Sequence, residues 1–189
     1  MATVLYSATM SLDGYIAGPG GDMSWLTGLI GPNPTVADVI SKVGAVLAGN
    51  RSYRGDDPHR DTPREGKVFG GGWEGPQFVL THHAPDRPVP GITFVGDLVE
   101  AVTAAKQAAG DKYVNVIGAD VARQCLAAGL VDEILVFVAP LLLGDGVRLL
   151  DQPGGTNIAL ERLSTGEAPN ATNLWFRVVT SPPADPSRR

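Results

Sequence analysis

The run Gly49-Asn50-Arg51-Ser52 follows the apolar segment Ala45 to Ala48 without a spacer. A glycine there lets a ligand approach the backbone, the serine hydroxyl and the following amides suit one phosphate oxygen, and the planar fork of Arg51 suits a second. An ordinary turn carrying a solvated arginine is the competing reading. Three other strand-end junctions have the same character: Ser11 to Gly14, Thr81-His82-His83, and Gly118-Ala119-Asp120, which opens a helix. No GxGxxG and no Walker-type loop occurs, so neither the dinucleotide fingerprint of the doubly wound fold nor an ATP-hydrolysing loop is available.

Asp38 is the candidate catalytic residue, a carboxylate on a short helix leading to the site face that could bind or protonate a heterocycle; a solvated helix-face acid is the alternative. Asp13, before Gly14, is expected to bond only its own turn. His82 and His83 are adjacent at a strand end, point to opposite faces and chelate one metal poorly, so no metal is expected. Cys125 lies between Val121-Ala122 and Leu126 in a helical pattern and reads as a packed core thiol.

The elements that must position these groups are legible in the spacing. Val4 to Met10 is a buried first strand. Gly18 to Gly21 and then Asp22-Met23-Ser24-Trp25 form a loop with little intrinsic order that can close over a ligand. Thr35 to Val43 has helical spacing, with Gly44 as its stop. After an irregular excursion from Arg54 to Pro76, strands are expected at Phe78 to Leu80, Ile92 to Val95, Tyr113 to Ile117 and Glu133 to Val138. Helices are expected from Asp97 to about Ala109 and from Asp120 to Ala128. This order predicts an α/β protein with a mostly parallel central sheet flanked by helices. Ile158 to Leu163 and Leu174 to Val179 add a C-terminal antiparallel hairpin. Residues 1–180 read as a single domain and 181–189 as a flexible tail.

With 189 residues, 43% apolar and 19% charged, the chain can bury a core. Its net charge of -5 argues against a protein built to bind nucleic-acid backbone. A single cysteine suits a reducing cytoplasm and excludes an intrachain disulfide. No apolar run reaches the length of a membrane span. The apolar density of Ile134 to Leu143, Leu149, Leu150, Trp175 and Phe176 predicts a homodimer through the C-terminal region.

In order along the chain, Ser11-Leu12-Asp13-Gly14-Tyr15-Ile16-Ala17, Gly21-Asp22 with Trp25, Val46 to Tyr53 (VLAGNRSY) and Val116 to Leu150 form a series. That series resembles the reductases built on the dihydrofolate reductase fold, in the branch of the C-terminal domain of the riboflavin-biosynthesis deaminase-reductase. The resemblance implies NADPH lying across the strand ends. Its contacts would fall on Gly49, Asn50, Arg51, Ser52, Thr81 and His82, and on the turn formed by Ile117, Gly118, Ala119, Asp120 and Val121. Ala17 would be a further cofactor contact, and Met23 and Trp25 would belong to the mobile loop over the nicotinamide. Two positions depart from the family pattern: Asn50 stands where an arginine is usual, and Ala119 where a second glycine is usual.

The implied activity is hydride transfer from NADPH to a small heterocyclic or ribosylamino-pyrimidine substrate, as in a 5-amino-6-(5-phosphoribosylamino)uracil reductase. Hydride transfer depends on placement of donor and acceptor carbons more than on a protein acid, so the lack of an evident catalytic dyad is compatible with it. Two alternatives are a deazaflavin- or flavin-dependent reductase on the same fold and a non-catalytic nucleotide-binding protein.

Overall fold

The computed structural model describes residues 1–155 and 157–179. The C-terminal tail expected at 181–189 lies outside them. An eight-stranded sheet has the spatial order β5-β4-β3-β6-β1-β7-β10-β9. Its strands are β1 (Thr3–Ser11), β3 (Val43–Gly49), β4 (Gln77–Leu80), β5 (Ile92–Val95), β6 (Tyr113–Ile117), β7 (Glu133–Ala139), β9 (Ala159–Ala168) and β10 (Ala171–Val179). β1 runs parallel to both its neighbours, with Leu5 beside Asn115 on one side and Glu133 on the other. β3, β4 and β5 continue the parallel half, while β10 pairs antiparallel with β7 and β9. A second, two-stranded sheet joins β2 (Tyr15–Ala17) to β8 (Val147–Arg148), a pairing that the spacing of apolar residues does not announce.

Strand alternation sends Val4, Tyr6, Leu47, Val114, Val116 and Ile134 to one face. There they meet α3 (Leu98–Ala109) through Ala101, Val102 and Ala105, and α4 (Ala119–Ala127) through Val121, Ala122 and Cys125. Asp97 caps α3 by accepting the Glu100 amide at 2.9 Å. On the opposite face Leu5, Val46, Leu135 and Phe137 pack against Val39 of α1 (Pro34–Lys42), with Phe69 and Trp73 from the 54–76 excursion laid beside them. Asn33 caps α1.

The expected helix end at Gly44 is corrected. α1 stops at Lys42, and Gly44 lies inside β3. A Cβ on it would come within 2.7 Å of the Ala109 carbonyl at the end of α3, so this glycine serves a close helix-to-strand approach rather than a helix stop. The C-terminal hairpin is also longer than its apolar stretches suggest, because Ser164 to Glu167 pair with Thr172 to Trp175 through backbone bonds that need no apolar side chain.

Cys125 is fully buried, and desolvation pushes its thiol up to about 11. Folded protein at pH 8 should therefore leave a disulfide dye such as DTNB almost unreacted, and denaturant should release one equivalent of thiol. Rapid labelling of the native state would show that α4 opens.

Candidate active site at the strand ends

The parallel half of the sheet brings four carboxyl ends into one row, in the order β4, β3, β6, β1. At β3, Gly49 leads straight into α2 (Asn50–Arg54). At β6, Ile117 leads into Gly118, whose φ of 104° places it in the region that a side chain disfavours. A Cβ on Gly118 would collide with Ser52 Oγ, and one on Gly49 would lie 3.7 Å from Val121. The two turns therefore interlock, and Gly49, Ser52, Gly118 and Val121 come together as a single surface.

No side chain caps α4, whose first helical bond runs from the Ala122 amide to Gly118 O at 3.1 Å. The amides of Ala119, Asp120 and Val121 thus lack intrahelical partners, and a helix start of this kind attracts anions. The Asp120 carboxylate would oppose an anion, but Arg123 holds it at 2.8 Å and Gln124 at 2.9 Å. The Arg123 bond is the main cause of its lowered pKa, with the charge of Arg51 a smaller one, which puts Arg51 near the start of α4. Asn50 is turned to a local role, accepting from Arg54 Nε at 3.1 Å. One strand further out, buried Thr81 donates its amide to Val95 O and accepts the His83 amide at its hydroxyl, while His82 is exposed beside Gly96.

At the other end of the row, Ala17 closes β2 and is buried. The loop that follows is two 3-10 turns, at Pro19–Gly21 and Ser24–Leu26, rather than a stretch without order. Asp22 accepts from the Ser24 amide and hydroxyl, each at 3.0 Å, and the Met23 amide donates to Asp56 Oδ2 at 3.0 Å. That bond to Met23 is the leading cause of the lowered Asp56 pKa. The indole N–H of Trp25 is buried and has no partner among the described residues.

The expectation for Asp13 is corrected as well. Its carboxylate takes the Ser11 hydroxyl at 2.6 Å and the amides of Leu143 and Gly144 at 3.1 and 2.7 Å, so it clamps a loop 130 residues away. Chain reversal after β7 brings that loop over β1, which local sequence does not reveal. Asp38 is not brought to the row. It is exposed, bonds Lys42 at 2.7 Å, and its charge acts on Tyr113 at the opening residue of β6, the opposite end of the strands. A hollow of about 520 Å³ also lies at that end, among Ile40, Gly44, Trp73, Ala109 and Lys112, and holds none of the row's residues.

Sequence reasoning passed over a second group. Ser7 and Thr9, on the face of the sheet that carries α1, are partly exposed although β1 is a central strand, so a cleft opens over its carboxyl half. Asn115 lies beneath, fully buried, and accepts from Ser7 Oγ at 2.8 Å. Asn33 and buried Asn173 exchange two side-chain bonds of 2.9 and 3.0 Å, fixing the start of α1 to β10 at the cleft's edge. An asparagine inside the apolar run YVNVI was the available signal. Among the described residues no cluster of His, Cys, Asp or Glu could hold a metal ion, and no helix is long and apolar enough to cross a membrane.

The Asp13 clamp titrates in a defined direction. The Ser11 hydroxyl first, then the two loop amides, lower its carboxyl to about 2, so the clamp holds fully above the ordinary carboxylate value and is lost as pH falls from about 4 toward 2. Hydrogen exchange at Leu143 and Gly144 should accelerate over that window, and Asp13→Ala should produce the same acceleration at neutral pH. Unchanged exchange in the variant would show that the loop is held by other contacts.

Set beside known proteins, residues 2–172 match a family model described as the RibD C-terminal domain. A Shewanella sp. PV-4 protein assigned to riboflavin biosynthesis superposes with a TM-score of 0.71 at 22% identity, over 95% of this chain and 99% of that one. The Thermotoga maritima diaminohydroxyphosphoribosylaminopyrimidine deaminase/5-amino-6-(5-phosphoribosylamino)uracil reductase gives 0.65 at 18% identity, over 94% of this chain and 57% of its own. Enterococcus faecalis dihydrofolate reductase, complexed with NADP(H) and RAB-propyl, gives 0.61 at 13% identity over 93% and 96%. The architecture is therefore that of the dihydrofolate reductases.

Proposed function

The chain belongs to the RibD C-terminal domain family, and on that premise we propose that it is a reductase delivering a hydride from NADPH to a small heterocycle of the ribosylamino-pyrimidine class. The observation that carries this reading is the unbroken row of strand-end groups from β4 to β1. Three inter-strand steps span about 14 Å, a length suited to an extended dinucleotide. The Gly118 cradle and the uncapped start of α4 suit its phosphates, with Ser52 and Arg51 beside them. Thr81 and His82 would meet the far end, and Ala17, Met23 and Trp25 the reactive end. When bound, the nicotinamide supplies the hydride; the protein holds donor and acceptor in contact and keeps water out.

Asp38 has no part in this reading, because it sits at the other end of the strands. Protonation of the product then falls to ordered water or to the substrate itself. Arg51 serves to bind the cofactor, most simply at the pyrophosphate, since Asn50 replaces the arginine that would add contact to a 2′-phosphate.

The test is a titration of the protein with NADPH, NADH and a reduced deazaflavin, followed by turnover on an aminouracil substrate. Saturable NADPH binding with loss of nicotinamide absorbance supports the proposal. Binding of the deazaflavin alone would replace it, and NADPH binding without turnover on a carbonyl and imine panel would favour a sensor. Arg51→Ala should weaken NADPH about ten- to a hundredfold, the loss of one charge-assisted bond, and leave the maximal rate nearly intact. Contact with the pyrophosphate makes NADH weaken in parallel, whereas contact with the 2′-phosphate spares NADH.

The same reading includes a homodimer through the C-terminal region, resting on its exposed hairpin rather than on the apolar run from Ile134, whose residues Ile134 to Phe137 are buried in the core. β9 is exposed along most of its length, among the described residues no strand pairs with its outer edge, and Ile158, Leu160, Leu163 and Val179 are exposed around it. Light scattering at micromolar concentration should give twice the chain mass, and Leu160→Glu with Leu163→Glu should give one. A monomeric parent protein would overturn this part.

A further inference from the structure

Asn115 is costly where it stands. It occupies the middle of β6, between Leu5 and Val46 on the paired strands, with no exposed surface, and its Nδ2 has no hydrogen-bond partner among the described residues. An unpaired buried amide N–H forfeits its hydration for nothing, and an apolar residue of similar shape would avoid that cost. Its one side-chain bond among the described residues is with Ser7, where β1 passes from its buried run Val4 to Tyr6 to a partly exposed half at the inner end of the cleft. Thr9 follows on the same face of the strand, also partly exposed.

Two arrangements are open to the pair, of which the structure holds the first. In the first, Ser7 Oγ donates to Asn115 Oδ1 and turns its lone pairs to the cleft. Half a turn of the carboxamide would make Nδ2 the donor to Ser7 Oγ, pairing one of its N–H groups in place of Oδ1 and releasing the serine proton toward the cleft. Ser7 can therefore accept from a ligand amino group or donate to a ligand carbonyl. Neither side chain is charged, so the pair suits a neutral polar edge of a planar ring.

We infer that Ser7 is a specificity-determining contact for a ring carbonyl or ring amino group of the substrate, and that Asn115 is the positioning residue that sets the direction of its hydroxyl. The inference rests on the proposed reductase reading only for where the substrate ring lies. It adds how this chain selects a pyrimidine-like ring without a carboxylate at that place.

The test measures binding of 5,6-diaminouracil and of 6-methylpterin by calorimetry, with and without NADPH, using 2,4-dimethoxypyrimidine as the control that lacks ring carbonyl and amino groups. Ser7→Ala should weaken the ring probes about fivefold to thirtyfold, the loss of one neutral hydrogen bond, and leave NADPH affinity unchanged. Asn115→Leu should weaken them by a similar factor while melting no lower than the parent, because it removes an unpaired N–H. The double variant should lose no more than either single one. A merely structural asparagine would change the melting temperature and leave this coupling at zero. If Asn115→Leu fails to fold, Ser7→Ala decides the matter alone, since Ser7 is partly exposed.

Equal ring-probe affinity in the parent and in Ser7→Ala overturns the inference and leaves the reductase reading intact. Ring probes that bind in a Ser7-dependent way to a protein that ignores NADPH support the inference and remove the reductase reading. Failure of the parent protein to bind either ring probe overturns the inference.

Discussion

β1 lies between β6 and β7 and is parallel to both, and the geometry of the site depends on that pairing. A parallel neighbour cannot be reached by a hairpin, so each crossover must return to the amino edge and every following strand must leave at the same carboxyl edge. Gly49, Thr81, Gly118 and the loop after Ser11 are thereby collected on one side of the molecule, although they are spread over more than a hundred positions of sequence. The interlock of Ser52 with Gly118 is the closest consequence: two turns from different crossovers share one surface because their strands are adjacent.

The two faces of the sheet do different work. The face under α3 and α4 is filled with Val, Ala and Leu and contributes rigidity. The other carries α1, Trp73 and Phe69, and on it Ser7 and Thr9 in the carboxyl half of β1 stay partly exposed. This division places the polar pair Ser7 and Asn115 where apolar packing ends. A polar group tolerated inside a strand, at a cost in stability, marks the point where the sheet stops being core and the proposed substrate cleft begins.

Carboxylates in this chain hold loops. Asp13 grips the amides of Leu143 and Gly144, Asp56 the amide of Met23, Asp132 the amide of Val4 at 2.7 Å, and Asp97 the start of α3. Each compensates an unpaired backbone donor near the surface, where a charged acceptor keeps much of its hydration. An acidic chain can in this way leave its strand-end row lined by amides, hydroxyls and Arg51. Nothing in the row relies on a protonated acid, in keeping with the hydride transfer proposed for it.

Local pattern alone was sufficient for the strands from Val4 to Val138, the helices beginning at Asp97 and near Asp120, and the four strand-end junctions, because each is set by side chains a few positions apart. The ordered motifs from Ser11 to Leu150 pointed to the family for the same reason. That Asp38 lies away from the row was not legible, because a helix period does not say which end of a sheet a side chain overlooks. The reach of Asp13 to Gly144, the pairing of β2 with β8 and the role of Gly44 were hidden because their partners are distant in sequence. Asn115 was visible as an asparagine in an apolar strand, yet only tertiary structure supplied Ser7 as its neighbour and left its Nδ2 without a partner. Contacts between residues far apart in the chain depend on strand order and register, and those follow from burying the whole core at once.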